Sequence, residues 1–240
     1  MHKITIGWMY PNLLNLHGER GSVQALERVG RQLGLDLEIR RIEDFDDNID
    51  FASLDMMIFL PGEIALFSHL VPALERQRTG LDAYLSNGGY ALAIGTTGLL
   101  FGKSVLREDG TEIAGLGYLD VSAKERKYVW GDDLHVQING SEQELVGSQI
   151  MMVDVDATTP FAKTIYGRGN NGNSGEGARW NNLIYTNCLG PLFVKNPWFA
   201  ESILREICNS KGIAVNGTAD HRIAQESFAS TLRFIENKQK

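Results

Sequence analysis

Few side chains in this 240-residue chain can act as nucleophiles or bases, and they are scattered. The two cysteines are Cys188 and Cys208, too few for a disulfide framework or a cysteine-rich zinc site. The histidines show no metal-ligand spacing, so no metal site is expected. Cys208 shares a helical stretch with Ile203, Leu204 and Ile207 and reads as a core packer. Cys188 falls in a strand-like stretch whose alternation turns it either to the core or to a cleft, where His17, His69 or His135 are candidate partners. The most pointed segment is Tyr90 to Gly102, an apolar strand entering a tight glycine turn and a short helical piece over 99–101. That is the geometry of a nucleophile elbow, in which backbone N–H groups and a helix N-terminus face a developing oxyanion. The elbow position here is Gly95, which has no side chain, and the turn offers only the hydroxyls of Thr96 and Thr97. From residues alone the segment is a strand–helix turn that needs glycine for its backbone.

Two further stretches invite functional readings. The run from Gly167 to Gly177 is rich in Gly and Asn but lacks a Gly-Lys-Ser/Thr ending and enters no helix. It reads as a solvent-facing turn in a β-rich segment, not a phosphate loop. Arg126 and Lys127 read as a solvated charge run, with ligand binding as the alternative.

The elements around these residues follow from periodicity. Strands are expected over 4–9, 35–42, 54–60 and 90–94, alternating with a helix capped by Ser22 and a second helix over 68–86. Such alternation implies a mostly parallel sheet with helices on both faces. The stretches 118–122, 134–138, 145–153 and 183–186 are strand-like, and helices follow from Pro197 and through Ile223, Phe228, Leu232 and Ile235. The expected organisation is one α/β domain over 1–240: alternating β/α to 110, a β-rich part over 111–190, and C-terminal helices over 191–240.

Composition bounds the rest. With 23 Lys+Arg against 30 Asp+Glu, the net charge of −7 disfavours a nucleic-acid footprint. Hydrophobic content of 43% with 22% charged residues is globular. The apolar run Met56 to Pro61 is far shorter than the roughly 20 residues of a membrane helix. A cytoplasmic location without a membrane partner is the expectation.

Several segments together resemble one family, the CobQ/CobB-type class I glutamine amidotransferases, and among them the GatD-like members. Tyr10-Pro11-Asn12-Leu13-Leu14-Asn15-Leu16-His17-Gly18-Glu19-Arg20-Gly21-Ser22 is similar to that family's YPDLLNLYGDRGN. Gly115 to Asp120 resembles GLGxLD, Gly190 to Pro197 resembles GPLLPKNP, and Gly169 to Gly172 with Glu176-Gly177 fits GNNG…EG. The marks are co-linear and span nearly the whole chain.

The resemblance implies a flavodoxin-like fold and glutamine hydrolysis by a cysteine with a histidine base, without a cofactor, the ammonia passing to a synthetase. Residue by residue, the chemistry does not carry over. The family's LAICGGYQLLG aligns with Leu92 to Gly102, placing the nucleophile at Gly95. TYLHGPLL aligns with Thr186 to Phe193, placing the base at Leu189. The oxyanion-side GGGQD becomes Leu60-Pro61-Gly62-Glu63-Ile64, and proline there removes a backbone donor. A glutamine-binding arginine falls near Tyr128, beside Arg126, and GFENHGG becomes Gly147 to Met152.

Glycine offers no nucleophile and leucine no base. The expectation is therefore a catalytically degenerate amidotransferase-like subunit, a structural or regulatory partner of a Mur-ligase-like (MurT-type) synthetase. Two alternatives stand beside it: an active glutaminase or amidase with a relocated nucleophile such as Cys188, and a module binding glutamine or another small molecule. The remodelled cleft would draw on Gly62, Glu63, Thr96, Thr97, Arg126, Tyr128 and Cys188.

Overall fold

The computed structural model describes residues 3–46 and 48–239. Its framework is a six-stranded sheet in the order β2 (Asp36–Ile42), β1 (Lys3–Met9), β3 (Met56–Phe59), β4 (Tyr90–Ile94), β12 (Leu183–Thr186) and β11 (Ala178–Trp180). Five of these strands run parallel, and β11 is an antiparallel edge. Every residue of β3 and β4 is buried, as continuous apolar strands covered on both faces must be.

The period of two sorts side chains between the faces. Ile4, Ile6, Met56, Ile58, Leu92 and Ile94 pack with α1 (Arg20–Gln32) and α5 (Pro197–Ser210). Met57, Phe59, Ala91 and Ala93 pack on the other face with α2 (Phe67–Glu75) and α3 (Arg78–Ser86).

The β-rich middle forms a second sheet. Its spine is an antiparallel ribbon of β7 (Val121–Ile138) and β8 (Glu144–Ala157), joined by β5 (Ser104–Leu106), β6 (Glu112–Ala114), β9 (Ala162–Tyr166) and β10 (Gly175–Glu176). The ribbon breaks register where 126–129 bulge out opposite Met152. A one-turn α4 (Leu192–Lys195) precedes α5, and α6 (Arg222–Lys238) ends the described chain.

Several expectations need correction. The helix expected over 68–86 is two helices, because Arg76 and Gln77 are tethered sideways. Arg76 donates to the Phe45 carbonyl (2.9 Å), and Ile49 N–H donates to Gln77 Oε1 (2.7 Å). Ser22 does not cap α1, which starts at Arg20; its hydroxyl donates to Glu19 Oε2 (2.8 Å) and accepts from Phe193 N–H (3.2 Å). The strand expected from Tyr118 begins at Val121. The glycine/asparagine loop is also less solvent-facing than expected. Asn170 is buried, donating to the Gly177 carbonyl (2.7 Å) and accepting from Gly177 N–H (3.1 Å).

Asn196 ties the two sheets' components together. Its Oδ1 accepts from Val146 N–H, and its Nδ2 donates to the carbonyls of Val146 and Leu192, each at 2.9 Å and all buried. Removing that amide takes a partner from Val146 N–H and from Val146 C=O, each costing about 1–3 kcal/mol if unmet, while the Leu192 carbonyl keeps the Asn196 backbone N–H (2.9 Å). Asn196→Ala is expected to lower unfolding stability by about 2–4 kcal/mol in urea titrations, with native far-UV circular dichroism retained before the transition.

Candidate functional site

Parallel pairing carries the carboxyl ends of β3, β4 and β12 to one edge. Phe59 pairs with Ala93 and Thr186 with Ile94, so the residues that follow these strands meet. At Gly95 the chain turns with φ +66 into a 3₁₀ turn running through Phe101, four residues earlier than the helical piece expected at 99–101. The turn lies hard against β12: a Cβ on residue 98 would sit 1.8 Å from the Tyr185 ring, so only glycine fits.

The space over the elbow is filled by apolar atoms. A Cβ on residue 95 would meet Pro61 Cγ at 3.2 Å, and Pro61 Cβ and Leu189 Cδ2 at 3.3 Å. Leu189 is buried and fixed by a backbone bridge to β8, its N–H donating to Ser148 O (2.9 Å) and Ser148 N–H donating to Leu189 O (3.0 Å).

Two buried carboxylates hold this segment. Glu19 accepts from Gly190 N–H (2.5 Å), Leu192 N–H (3.1 Å) and the Ser22 hydroxyl. Glu176 accepts from Asn187 N–H (2.6 Å) and the Thr186 hydroxyl (2.9 Å). Burial raises both carboxyls above their ordinary range, Glu176 to about 7.

In front of the elbow lies a cleft of about 350 Å³. Of the residues expected there, Gly62, Glu63, Gly95, Thr96 and Leu189 line it. The Thr96 hydroxyl donates to the Gly62 carbonyl, which ties the turn to the loop after β3.

The structure does not bring the other candidates to the cleft. Thr97 is buried, its hydroxyl hydrogen-bonded within the core to the Ile94 (2.9 Å) and Phe59 (3.2 Å) carbonyls. Arg126 sits in the bulge, paired with Asp154, and Tyr128 is 73% exposed. Cys188 is buried in the core with its thiol beside Gly147, where a Cβ would lie 2.5 Å from Sγ. Burial, reinforced by the charges of Glu176 and Glu19, pushes that thiol well above its ordinary value. His69 stacks on Phe45 and His135 Nε2 lies 2.8 Å from Glu144, whereas His17 lines the cleft and burial lowers its pKa.

Sequence reasoning missed the cleft's outer wall. Arg107 and Glu125 meet at 2.6 Å, and Ile150 and Met152 project from β8. The first pair exists because β5 runs parallel to β7, pairing Leu106 with Lys124, a register with no local sequence signal. The alternation of 150 and 152 was visible, but not which face of β8 meets the cleft. Among the described residues no three His, Cys, Asp or Glu side chains converge as a metal site, and no helix is long and apolar enough to cross a membrane.

No family model matches the chain. It is 25% identical over 260 residues to the lipid II isoglutaminyl synthase (glutamine-hydrolyzing) subunit GatD of Streptococcus pneumoniae, covering 99% of this chain and 93% of that one. It is 25% identical over 219 residues to the subunit of the same name from Staphylococcus aureus, covering 89% of this chain and 88% of that one. A solved glutamine amidotransferase from Thermotoga maritima superposes with a TM-score of 0.52 at 12% identity, over 99% of this chain and 95% of that one. The fold is thus that of a class I glutamine amidotransferase. Within that class the chain is similar to the GatD subunits along nearly its whole length.

The buried Glu176 makes stability depend on pH. Its folded pKa lies above the ordinary 4.5, so its contribution is fully present below about 4.5 and is lost as pH rises through about 7. Glu19 is shifted in the same direction. Unfolding stability is expected to fall between pH 5 and 8, on the order of 3 kcal/mol from Glu176 alone. In denaturant titrations across that range, Glu176→Gln should remove most of the slope.

Proposed function

We propose that this chain is a glutamine amidotransferase-like subunit serving lipid II amidation, with its hydrolytic site degenerate. In this reading it docks on a Mur-ligase-like (MurT-type) synthetase in the cytoplasm and acts there as a structural or regulatory partner. The whole of 1–240 works as one amidotransferase-like unit. The synthetase then draws its ammonia from solution or from another protein.

The observation that carries the reading is the contact at the elbow. Where thiol chemistry needs a nucleophile and a base, Gly95 lies beneath Pro61 and Leu189, so close that even a Cβ there would be crowded at 3.2–3.3 Å. A leucine side chain cannot take a proton, and removing a covalent nucleophile with its base costs several powers of ten in rate. Cys188 is a poor substitute, because a buried, protonated thiol is neither reachable nor nucleophilic. The Thr96 hydroxyl is already engaged, donating to the Gly62 carbonyl. Lipid II amidation as the process rests on the names of the two GatD relatives and on coverage of nearly their full length.

The purified chain is expected to release no ammonia from glutamine above the buffer blank, and Cys188→Ala to leave that result unchanged. Combined with a Mur-ligase-like synthetase, it should co-elute on size exclusion and support amidation with ammonium but not with glutamine. Turnover of glutamine that Cys188→Ala abolishes would overturn the reading.

A further inference from the structure

The substitutions that empty the elbow of chemistry also change what the cleft can hold. Much of its lining is apolar, with Pro61 and Leu189 over the turn, Ile64 beside them, and Ile150 and Met152 on the outer wall. Its volume of about 350 Å³ falls at the small end of ligand sites. Ile150 and Met152 remain 40% and 38% exposed on the same face of β8, so the apolar wall is open to an incoming molecule.

The charges in the cleft sort into paired and unpaired. Arg107 donates to Glu125 Oε2 at 2.6 Å, and the same oxygen accepts Glu108 N–H at 3.0 Å, so the cleft's guanidinium is already committed. Glu63 is an exposed carboxylate with no ion pair among the described residues. A free amino acid such as glutamine brings a carboxylate as well as an ammonium, and the only guanidinium lining the cleft among the described residues is engaged with Glu125. An amine without a carboxylate meets a complementary charge at Glu63 and leaves no anion unmatched.

We propose that this cleft binds a small molecule with an apolar body and a protonated amine head. The body lies over Pro61, Leu189, Ile150 and Met152, and the amine sits at Glu63. The inference rests on the non-hydrolytic reading of the elbow. It assigns the cleft a ligand class different from the amide substrate of a glutaminase.

The test uses 3-phenylpropylamine as probe, against 3-phenylpropionate, which has a similar body and the opposite charge, and against L-glutamine. At about 10 mM, the amine should raise the melting temperature of the full chain by about 2 °C or more, and the two comparison compounds by less than half of that. By calorimetric titration, Glu63→Gln should weaken amine binding at least about threefold, since a surface charge pair is the interaction removed. Met152→Ser, at a half-exposed position, should weaken it through the apolar wall without unfolding the chain. Equal shifts with amine and carboxylate, no shift with the amine, or an affinity in Glu63→Gln within about threefold of the unsubstituted chain would overturn the proposal. Ammonia release from glutamine would instead overturn the reading beneath it. A silent chain that ignores the amine overturns this inference alone.

Discussion

The segment from Thr186 to Leu192 is held in place by two carboxylates that have given up water. Glu19 and Glu176 accept four hydrogen bonds from backbone N–H groups and hydroxyls along it, with Ser22 adding one more to Glu19. Charged acceptors in low dielectric bind such donors strongly, but only where every lone-pair direction in use is satisfied. Because that segment is pinned, Leu189 stands over Gly95, and because Leu189 stands there, the elbow is closed by hydrocarbon. The inner end of the cleft inherits its geometry from this clamp.

The retained and the missing parts of the family pattern divide along a physical line. Glu19, Asn170, Glu176 and Asn196 sit in the motifs that match, and each spends its side chain on backbone groups. They fix the turns and the joint between the two sheets. The positions that do not match, Gly95, Leu189 and Pro61, lie at the carboxyl ends of the strands, over the cleft. A chain that keeps its buried polar anchors keeps its fold, since orphaned backbone groups are costly. Under the proposed reading, a nucleophile and a base are lost with no such penalty.

Much of this architecture was legible in the chain. Continuous apolar runs such as 90–94 and alternation with helices specified a parallel sheet, because buried strands have to be apolar on both faces. The shared motifs pointed to Gly95, Leu189, Gly62, Glu63 and Thr96 as neighbours, and the structure brings them together. Other features depended on tertiary register. The Arg107–Glu125 pair arises from β5 running beside β7, and the break at Arg76 and Gln77 from tethers to a distant loop. The roles of Glu19 and Glu176 were hidden for another reason. An acidic residue reads as solvated until its surroundings are known, and here burial is what defines it. Cys188 and Thr97 misled as cleft candidates because each sits one residue along from a position that does face it.

The central claim is that the elbow holds no reactive group. Incubating the native chain with 6-diazo-5-oxo-L-norleucine, a glutamine-shaped electrophile, and measuring intact mass with peptide mapping reads this out directly. The account predicts an unmodified mass, with Cys188 alkylated only after unfolding. A stoichiometric adduct on Cys188, Thr96 or any other residue of the native chain would contradict it.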